Sequence, residues 1–382
     1  MLKCSGRPLP NTRGRKAEAA IGSMLSAGKN VLLFMLGICL IVQVVSGHNQ
    51  DEPKEEEKKT KKTRFAAIPI PNYNETTGFG LGLILSLYYP FDKDDEISPP
   101  SSTTFFGYYA ANKTNVIGIA QKFFLKEDKY RIMLALARAS INFQFYDENI
   151  SGGFIDYNTG SRFAIIKGEI QVLNDFYMGL KYRYSRSRTT FDIPFEYDPP
   201  ENNYSGLGPI VSYDSRDNIS YPSSGCLVEL QSLFNNSVFG SDQDYTILEL
   251  GINRYLMLQK NQILAVRLHA KIGVGDVPFE EQAIMAGTDL RGYTSGKYRA
   301  DQKYTLQAEY RWAFAKKFGM VAFAGFGYVA DKIGEIQLGD VLPSAGVGLR
   351  YMMIPEYRIN IGVDFAVGKD DTAFYFRITE AF

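Results

Sequence analysis

Few residues in this 382-residue sequence could do chemistry, and their spacing decides what kind. There are two histidines, His48 and His269. No serine, histidine and acid stand in a nucleophile pattern, so His269 reads as a polar side chain on a strand and no enzyme is expected. The three cysteines, Cys4, Cys39 and Cys226, form no Cys-x-x-Cys or Cys/His set. Neither a metal nor a cofactor is therefore expected. Lys+Arg and Asp+Glu balance at 42 each, without the basic excess that nucleic-acid binding needs. What remains is Leu290-Arg291-Gly292-Tyr293, in the middle of MAGTDLRGYTSGKY. A guanidinium offers five donors in a planar fork and seeks planar acceptors. That is docking chemistry, not bond-making chemistry.

The elements that must hold this core are strands. In YRINIGVDFAVG, Tyr357, Ile359, Ile361, Val363, Phe365 and Val367 share one face and polar or small residues take the other. A period of two over this length is a strand. ILAVRLHAKIGV and TLQAEYRWAF repeat the pattern, with Arg267, His269, Lys271, Gln307, Glu309 and Arg311 on their polar faces. Strands of about ten residues suit a tilted bilayer crossing, whereas a soluble sandwich uses about five or six. Aromatic clusters such as YYPF and FQFY fall at strand ends, as interfacial girdles do. A soluble all-β fold is the alternative.

Val31–Gly47, VLLFMLGICLIVQVVSG, reads as the apolar part of a secretory signal over 1–47, with Met24 the expected initiator. An uncleaved anchor is the alternative. Residues 48–64 are charged and read as a periplasmic linker. Residues 65–382 hold sixteen candidate strands, spanning 65–73, 79–89, 103–111, 116–125, 130–146, 161–173, 176–190, 204–214, 225–236, 244–258, 262–276, 303–314, 318–330, 343–354, 357–368 and 372–382. The expected fold is all-β, a sixteen-stranded antiparallel transmembrane β-barrel, because hydrocarbon cannot satisfy an open edge. With the N-terminus in the periplasm, MAGTDLRGYTSGKY falls in the sixth outer loop.

The first and last strands must then meet. Pro69 and Pro71 lie two residues apart, so their missing amide hydrogens share one strand edge. Either that edge forms a seam with few hydrogen bonds, or the strand begins after Pro71. The last segment, TAFYFRITEAF, places Phe374, Phe376 and Phe382 on one face, with Glu380 breaking the alternation.

Three features together resemble the BamA/TamA family of outer-membrane barrels, also known as bacterial surface antigens. TDLRGYTSGKY is similar to that family's Arg-Gly-Phe/Tyr loop. YDSRDNISYPSSG, with Asp214, Arg216, Asp217, Pro222 and Gly225, resembles its Asp-x-Arg-Asp turn. Five strands follow the loop, as in the sixteen-stranded members. The resemblance implies that the sixth loop folds into the lumen, with Arg291 docking, Gly292 allowing close backbone approach and Tyr293 packing beside it. Two departures stand out. Gly325 occupies the position where the family often has an aspartate, which leaves Glu309 and Asp364 as candidate partners of Arg291. The 48–64 linker holds no polypeptide-transport-associated domain. The Asp214 turn reads as mainly structural, with side chains bonded to turn backbone.

The resemblance implies help with insertion or translocation of outer-membrane proteins or lipids through a lateral seam. Expected partners are outer-membrane lipids, unfolded outer-membrane proteins or a separate periplasmic protein, and no nucleic acid. The expected location is the bacterial outer membrane. The alternative is a channel or structural barrel without insertase activity, its lumen lined by Arg267, His269, Lys271 and Arg350.

Overall fold

The computed structural model describes residues 63–74, 77–147, 153–193, 198–293, 297–332, 334 and 338–382. The expected signal segment and the linker up to residue 62 lie outside the described residues.

Alternation along the chain becomes strands β1 (Arg64–Asn74), β2 (Gly78–Tyr89), β3 (Ser101–Ala110), β4 (Asn115–Leu125), β5 (Tyr130–Asp147) and β6 (Gly153–Leu173). There follow β7 (Phe176–Phe191), β8 (Asn202–Asp214), β9 (Gly225–Asn235), β10 (Tyr245–Gln259) and β11 (Gln262–Gly275). Two short strands, β12 (Ala283–Ile284) and β13 (Arg299–Ala300), pair only with each other. The wall then continues with β14 (Gln302–Trp312), β15 (Phe318–Ala330), β16 (Leu342–Ile354), β17 (Ile359–Gly368) and β18 (Asp371–Ile378). Each wall strand pairs antiparallel with the next, and β11 pairs with β14 across the connection that holds the short ladder. The result is one sixteen-stranded sheet, curled into a nearly closed barrel. β1 comes to lie beside β18, yet no ladder joins them among the described residues.

The two faces are inverted relative to a soluble protein. Leu81, Leu83, Ile117, Leu136, Ile166, Leu180 and Leu349 are exposed, while Ser86, Ser161, Ser187, Gln307, Glu309 and Asp364 are buried. Across the interior, Ser161 and Ser187 share a hydrogen bond of 2.8 Å, and Lys167 Nζ donates to Glu229 over 2.6 Å. Only a hydrocarbon solvent stabilises an outward apolar band of this kind, and it requires backbone polar groups to be paired within the wall. The soluble sandwich is thereby set aside.

Most strand limits lie within two residues of the sequence expectation, and three of the shifts have a clear local cause. β6 starts at Gly153, eight residues early, because Asp156 and Asn158 stay in register with Gln144 and Asn142 of β5. β17 starts at Ile359, because Pro355–Tyr357 form a 3-10 turn and Arg358 takes a φ of 50°. β18 ends at Ile378, and Thr379 takes a φ of 67°. This last turn separates Phe382 from Phe374 and Phe376, which do not share a face with it. Phe374 packs on Phe365 at 4.9 Å, whereas the Phe382 carbonyl accepts a 2.7 Å bond from Arg311 Nη2. Glu380 breaks the apolar alternation because it lies past the strand end. It is buried and accepts hydrogen bonds from Arg350 Nε at 2.8 Å and Asn360 Nδ2 at 2.7 Å.

β1 includes both prolines, so a strand beginning after Pro71 does not hold. Its register with β2 is unbroken from Arg64↔Tyr88 to Asn74↔Gly78. An unbroken register is what remains when the two missing donors lie on the edge away from β2. That edge is closed by side chains instead. Ala66 and Ile68 pack with Ile354, Tyr357 and Ile359, and Ile70, Ile361 and Ile378 flank them. Arg64 and Glu356 form an ion pair of 2.6 Å with both side chains well exposed, a contact worth at most about 1 kcal/mol.

The outward band makes a direct prediction. Ile166, 54% exposed on β6, faces lipid. Ile166→Arg should destabilise the barrel by about 2–4 kcal/mol in vesicles, the cost of a cation in mid-bilayer. Urea unfolding followed by Trp312 fluorescence measures this, and a loss below about 0.5 kcal/mol would contradict the lipid-facing assignment.

Candidate functional site

The connection from β11 to β14 is anchored at several of its described residues. At its neck, Met285 N donates to the Tyr298 carbonyl at 2.9 Å. Met285, Leu290 and Tyr293 pack with Leu342 in a buried cluster. Asp289 accepts from Lys303 Nζ at 2.7 Å and from Arg267 Nη2 at 2.8 Å, with His269 Nδ1 at 3.4 Å. Lys271 Nζ donates to the Glu281 carbonyl at 2.8 Å. Of the candidate lining of a solute path, Arg267 and Lys271 are thus bonded to the connection itself, and His269 Nδ1 lies beside it without a hydrogen bond.

Arg291 is wholly buried. Its Nη1 lies 2.6 Å from Glu309 Oε2 and 2.8 Å from Asp364 Oδ2. The Glu309 contact is an ion pair out of hydrogen-bond alignment, since Oε2 accepts no hydrogen bond. Arg291 Nε donates to Gln307 Oε1 at 3.2 Å. The guanidinium stacks on Phe323 at 3.3 Å from the ring centroid, a cation–π contact that a dry site strengthens. The Arg291 carbonyl accepts from the Ser344 hydroxyl. Gly292 takes a φ of 101°, and a Cβ there would stand 2.7 Å from the Val367 carbonyl carbon. Both facts demand glycine. Gly292 N donates to the Tyr375 hydroxyl at 3.0 Å. The Tyr293 hydroxyl donates to the Pro343 carbonyl and accepts from Lys369 N at 3.1 Å.

Gly325 supplies no acid here, and no side chain would fit: a Cβ would lie 2.5 Å from the Leu306 carbonyl oxygen. The acid comes from β17 instead. Asp364 meets three guanidinium groups, Arg291 at 2.8 Å, Arg350 at 2.5 Å and Arg377 at 2.7 Å. Glu309 Oε1 accepts from Arg311 Nε at 2.7 Å. Glu380 completes the set through Arg350. Four arginines therefore face three carboxylates in one buried cluster. Arg350 belongs to this cluster, not to an open path. Arg311 and Arg377 are members that sequence reasoning left without a role. Strand parity points to both, since they sit two residues from Glu309 and Tyr375. Ser344 and Tyr375 carry no comparable signal.

The Asp214 turn joins the same region. Arg216 makes a bidentate pair with Asp214, Nε at 2.7 Å and Nη2 at 2.9 Å. Arg131 Nη1 reaches the same carboxylate at 2.8 Å. Asp217 Oδ1 accepts from the backbone N–H groups of Ser223 and Ser224, at 2.7 and 3.1 Å. Burial works against the Asp217 carboxylate, but these bonds and the Ser223 hydroxyl outweigh it and hold its pKa below the ordinary value. Gly225 takes a φ of 88°, and a Cβ there would overlap the Ser215 carbonyl. The Pro222 carbonyl accepts from Arg311 Nη1 at 3.4 Å.

A model of the Omp85 superfamily domain matches residues 128–382. The chain belongs to the Omp85 superfamily. It is an outer-membrane β-barrel of that type. Among solved structures, it is similar to BamA from Haemophilus ducreyi, crystallised lacking POTRA domains 1-3. The TM-score is 0.53 and the identity 14%, over 85% of this chain and 70% of that one. CdiB from Acinetobacter baumannii gives 0.57 and 13%, over 83% of this chain and 59% of that one. CdiB from Escherichia coli gives 0.57 and 10%, over 85% and 63%. The chain thus spans less than two thirds of either CdiB. At these identities the likeness is one of fold. A comparison with curated protein sequences found no match.

The charge count of this Omp85 barrel sets an asymmetry. Removing Arg291 leaves every carboxylate another guanidinium, whereas removing Asp364 strips three guanidinium groups of an acid. Asp364→Asn should cost about 3–5 kcal/mol, as for a buried pair broken on one side, and Arg291→Gln distinctly less. Urea unfolding of both variants checks this, and equal losses would refute it. Gly292→Ala should undock the loop while leaving the wall intact. Trypsin cleavage after Arg291, absent in the native barrel and present in the variant, reads this out.

Proposed function

We propose that this barrel assists insertion or translocation of outer-membrane proteins or lipids through a lateral opening between β1 and β18. The observation that carries this reading is the seam. Fifteen neighbouring strand pairs hold ladders, while β1 and β18 have none among the described residues. Side-chain packing alone separates at lower cost than a full ladder of hydrogen bonds buried in lipid. Pro69 and Pro71 keep that edge short of donors.

In this reading Arg291-Gly292-Tyr293 is an internal latch. Its acceptors lie on β14 and β17, and Ser344 and Tyr375 add β16 and β18. The latch holds the last wall strands as one piece while the seam parts. No bond-making step is involved. In this reading the partners are outer-membrane lipids and either unfolded outer-membrane proteins or a separate periplasmic protein, with the N-terminal end of β1 on the periplasmic side.

Paired cysteines test this. In a Cys226→Ser background, Ile70→Cys and Ile378→Cys place thiols within the seam cluster. The oxidised protein in vesicles should lose at least tenfold in its rate of inserting an unfolded β-barrel substrate, and reduction should restore it. Conductance across a planar bilayer should be the same in both states. Undiminished insertion by the oxidised form would leave the passive barrel or channel as the better reading.

A further inference from the structure

Three arginines stand in one row on the outer wall of the barrel. Arg138 of β5 is directly opposite Arg162 of β6, and Arg162 is directly opposite Arg186 of β7. All three are exposed. They share the strand face of the exposed Leu136 and Ile166, while the neighbouring Ala139, Ser161 and Ser187 are buried. Directly opposite side chains have Cβ atoms about 4.5–5.5 Å apart, and like charges so placed repel. Arg186 has an exposed partner in Glu201 at 2.6 Å. Among the described residues neither Arg138 nor Arg162 has an acid partner. Two residues further along β7, Arg188 pairs with Asp198 at the surface.

The row lies where the wall changes character. One step toward the short connections, the outward row is Leu136, Ala164 and Tyr184. The next is Leu134, Ile166 and Tyr182. On the other side the outward residues are Ser140, Gly160 and Arg188, then Asn142, Asn158 and Thr190. Further out stand Gln144 and Asp156. Arg138, Arg162 and Arg186 are eight, eleven and ten residues from the strand ends that meet those short connections. At about 3.3 Å per residue and a tilt of about 40°, that is a height of roughly 20–28 Å. An apolar band of a barrel is about 25 Å tall. The tyrosines fit the same boundary: Tyr184 donates to Asn203 Oδ1 at 2.9 Å, and Tyr182 accepts from Ser205 Oγ at 2.8 Å. Interfacial tyrosines hold this depth.

We propose that Arg138, Arg162 and Arg186 bind the phosphate of a lipid whose chains lie on Leu134, Leu136 and Ile166. A phosphate relieves the repulsion within the row and takes two parallel hydrogen bonds from a guanidinium. The apolar rows directly beneath select a lipid over a free phosphate, and Asp156 further out opposes any anion above the row. In the orientation proposed above, the lipid belongs to the outer leaflet. The site lies on β5–β7, away from the seam, and does not need the seam to open.

The test uses the full chain in detergent micelles, titrated with short-chain phosphatidic acid, phosphatidylcholine of the same chains, and inorganic phosphate. Phosphatidic acid should bind at least tenfold more tightly than the other two. The triple variant Arg138→Gln, Arg162→Gln, Arg186→Gln should lose that preference, and Arg162→Gln alone should lose about threefold. The single variant keeps the test decisive if the triple fails to fold. Unchanged affinity in the variants would overturn the proposal. So would equal phosphatidylcholine binding, which marks an ordinary lipid shell, or equal inorganic phosphate binding, which marks a site for the free ion. The seam cross-link does not alter this binding, so failure of one reading leaves the other standing.

Discussion

One carboxylate holds three guanidinium groups together in the middle of this barrel, and the last five wall strands are organised around it. Within the apolar band, lipid outside leaves polar side chains nowhere to go but inward. Once inside, a charge without a partner is costly, while a charge within a complete set is roughly neutral. Asp364 supplies one shared acid to Arg291, Arg350 and Arg377 at once. Glu309 and Glu380 extend it to Arg311 and Asn360. Through Arg311 the set touches the Pro222 carbonyl of the β8–β9 turn and the Phe382 carbonyl beyond β18.

This network and the seam divide the wall into unlike parts. From β14 to β18, ladders and ion pairs act together with the contacts of Arg291 and Gly292. At β1 the wall relies on Ala66 and Ile68 packing against Ile354, Tyr357 and Ile359. Apolar packing is strong in water but brings little advantage beside lipid chains, which are themselves apolar. The seam is therefore the one neighbouring pair of wall strands without a ladder among the described residues, and the charged cluster lies on the strands that lead up to it.

The strand number and order were legible because outward apolar residues alternate with inward polar ones along most of the chain. The limits that went astray did so where that alternation stops carrying information. β6 runs on through Asp156 and Asn158, which pair with β5 although the pattern is reversed there, with Asp156 exposed and Ile155 and Tyr157 buried. Phe382 fits the period of Phe374 and Phe376, but the left-handed backbone at Thr379 turns the chain before reaching it. For the site, the sequence picked out Arg291, Glu309 and Asp364, yet not that one arginine would meet both acids. That depends on the loop lying across strands far apart in the chain, a matter of three-dimensional closure. Gly325 looked like a lost partner from sequence alone. In the structure its backbone is crowded by Leu306, and β17 supplies the acid.

The wall is not of even height. β5, β6 and β7 have 18, 21 and 16 residues, whereas β17 and β18 have 10 and 8. Eight residues at a tilt of about 40–45° reach about 20 Å, short of a hydrocarbon core of about 30 Å. Beside β18 the bilayer must thin to meet the strand, at a modest cost for each ångström of mismatch. In the lateral-opening reading proposed above, a polar segment crossing at that place would meet a shorter barrier than one crossing beside β5–β7.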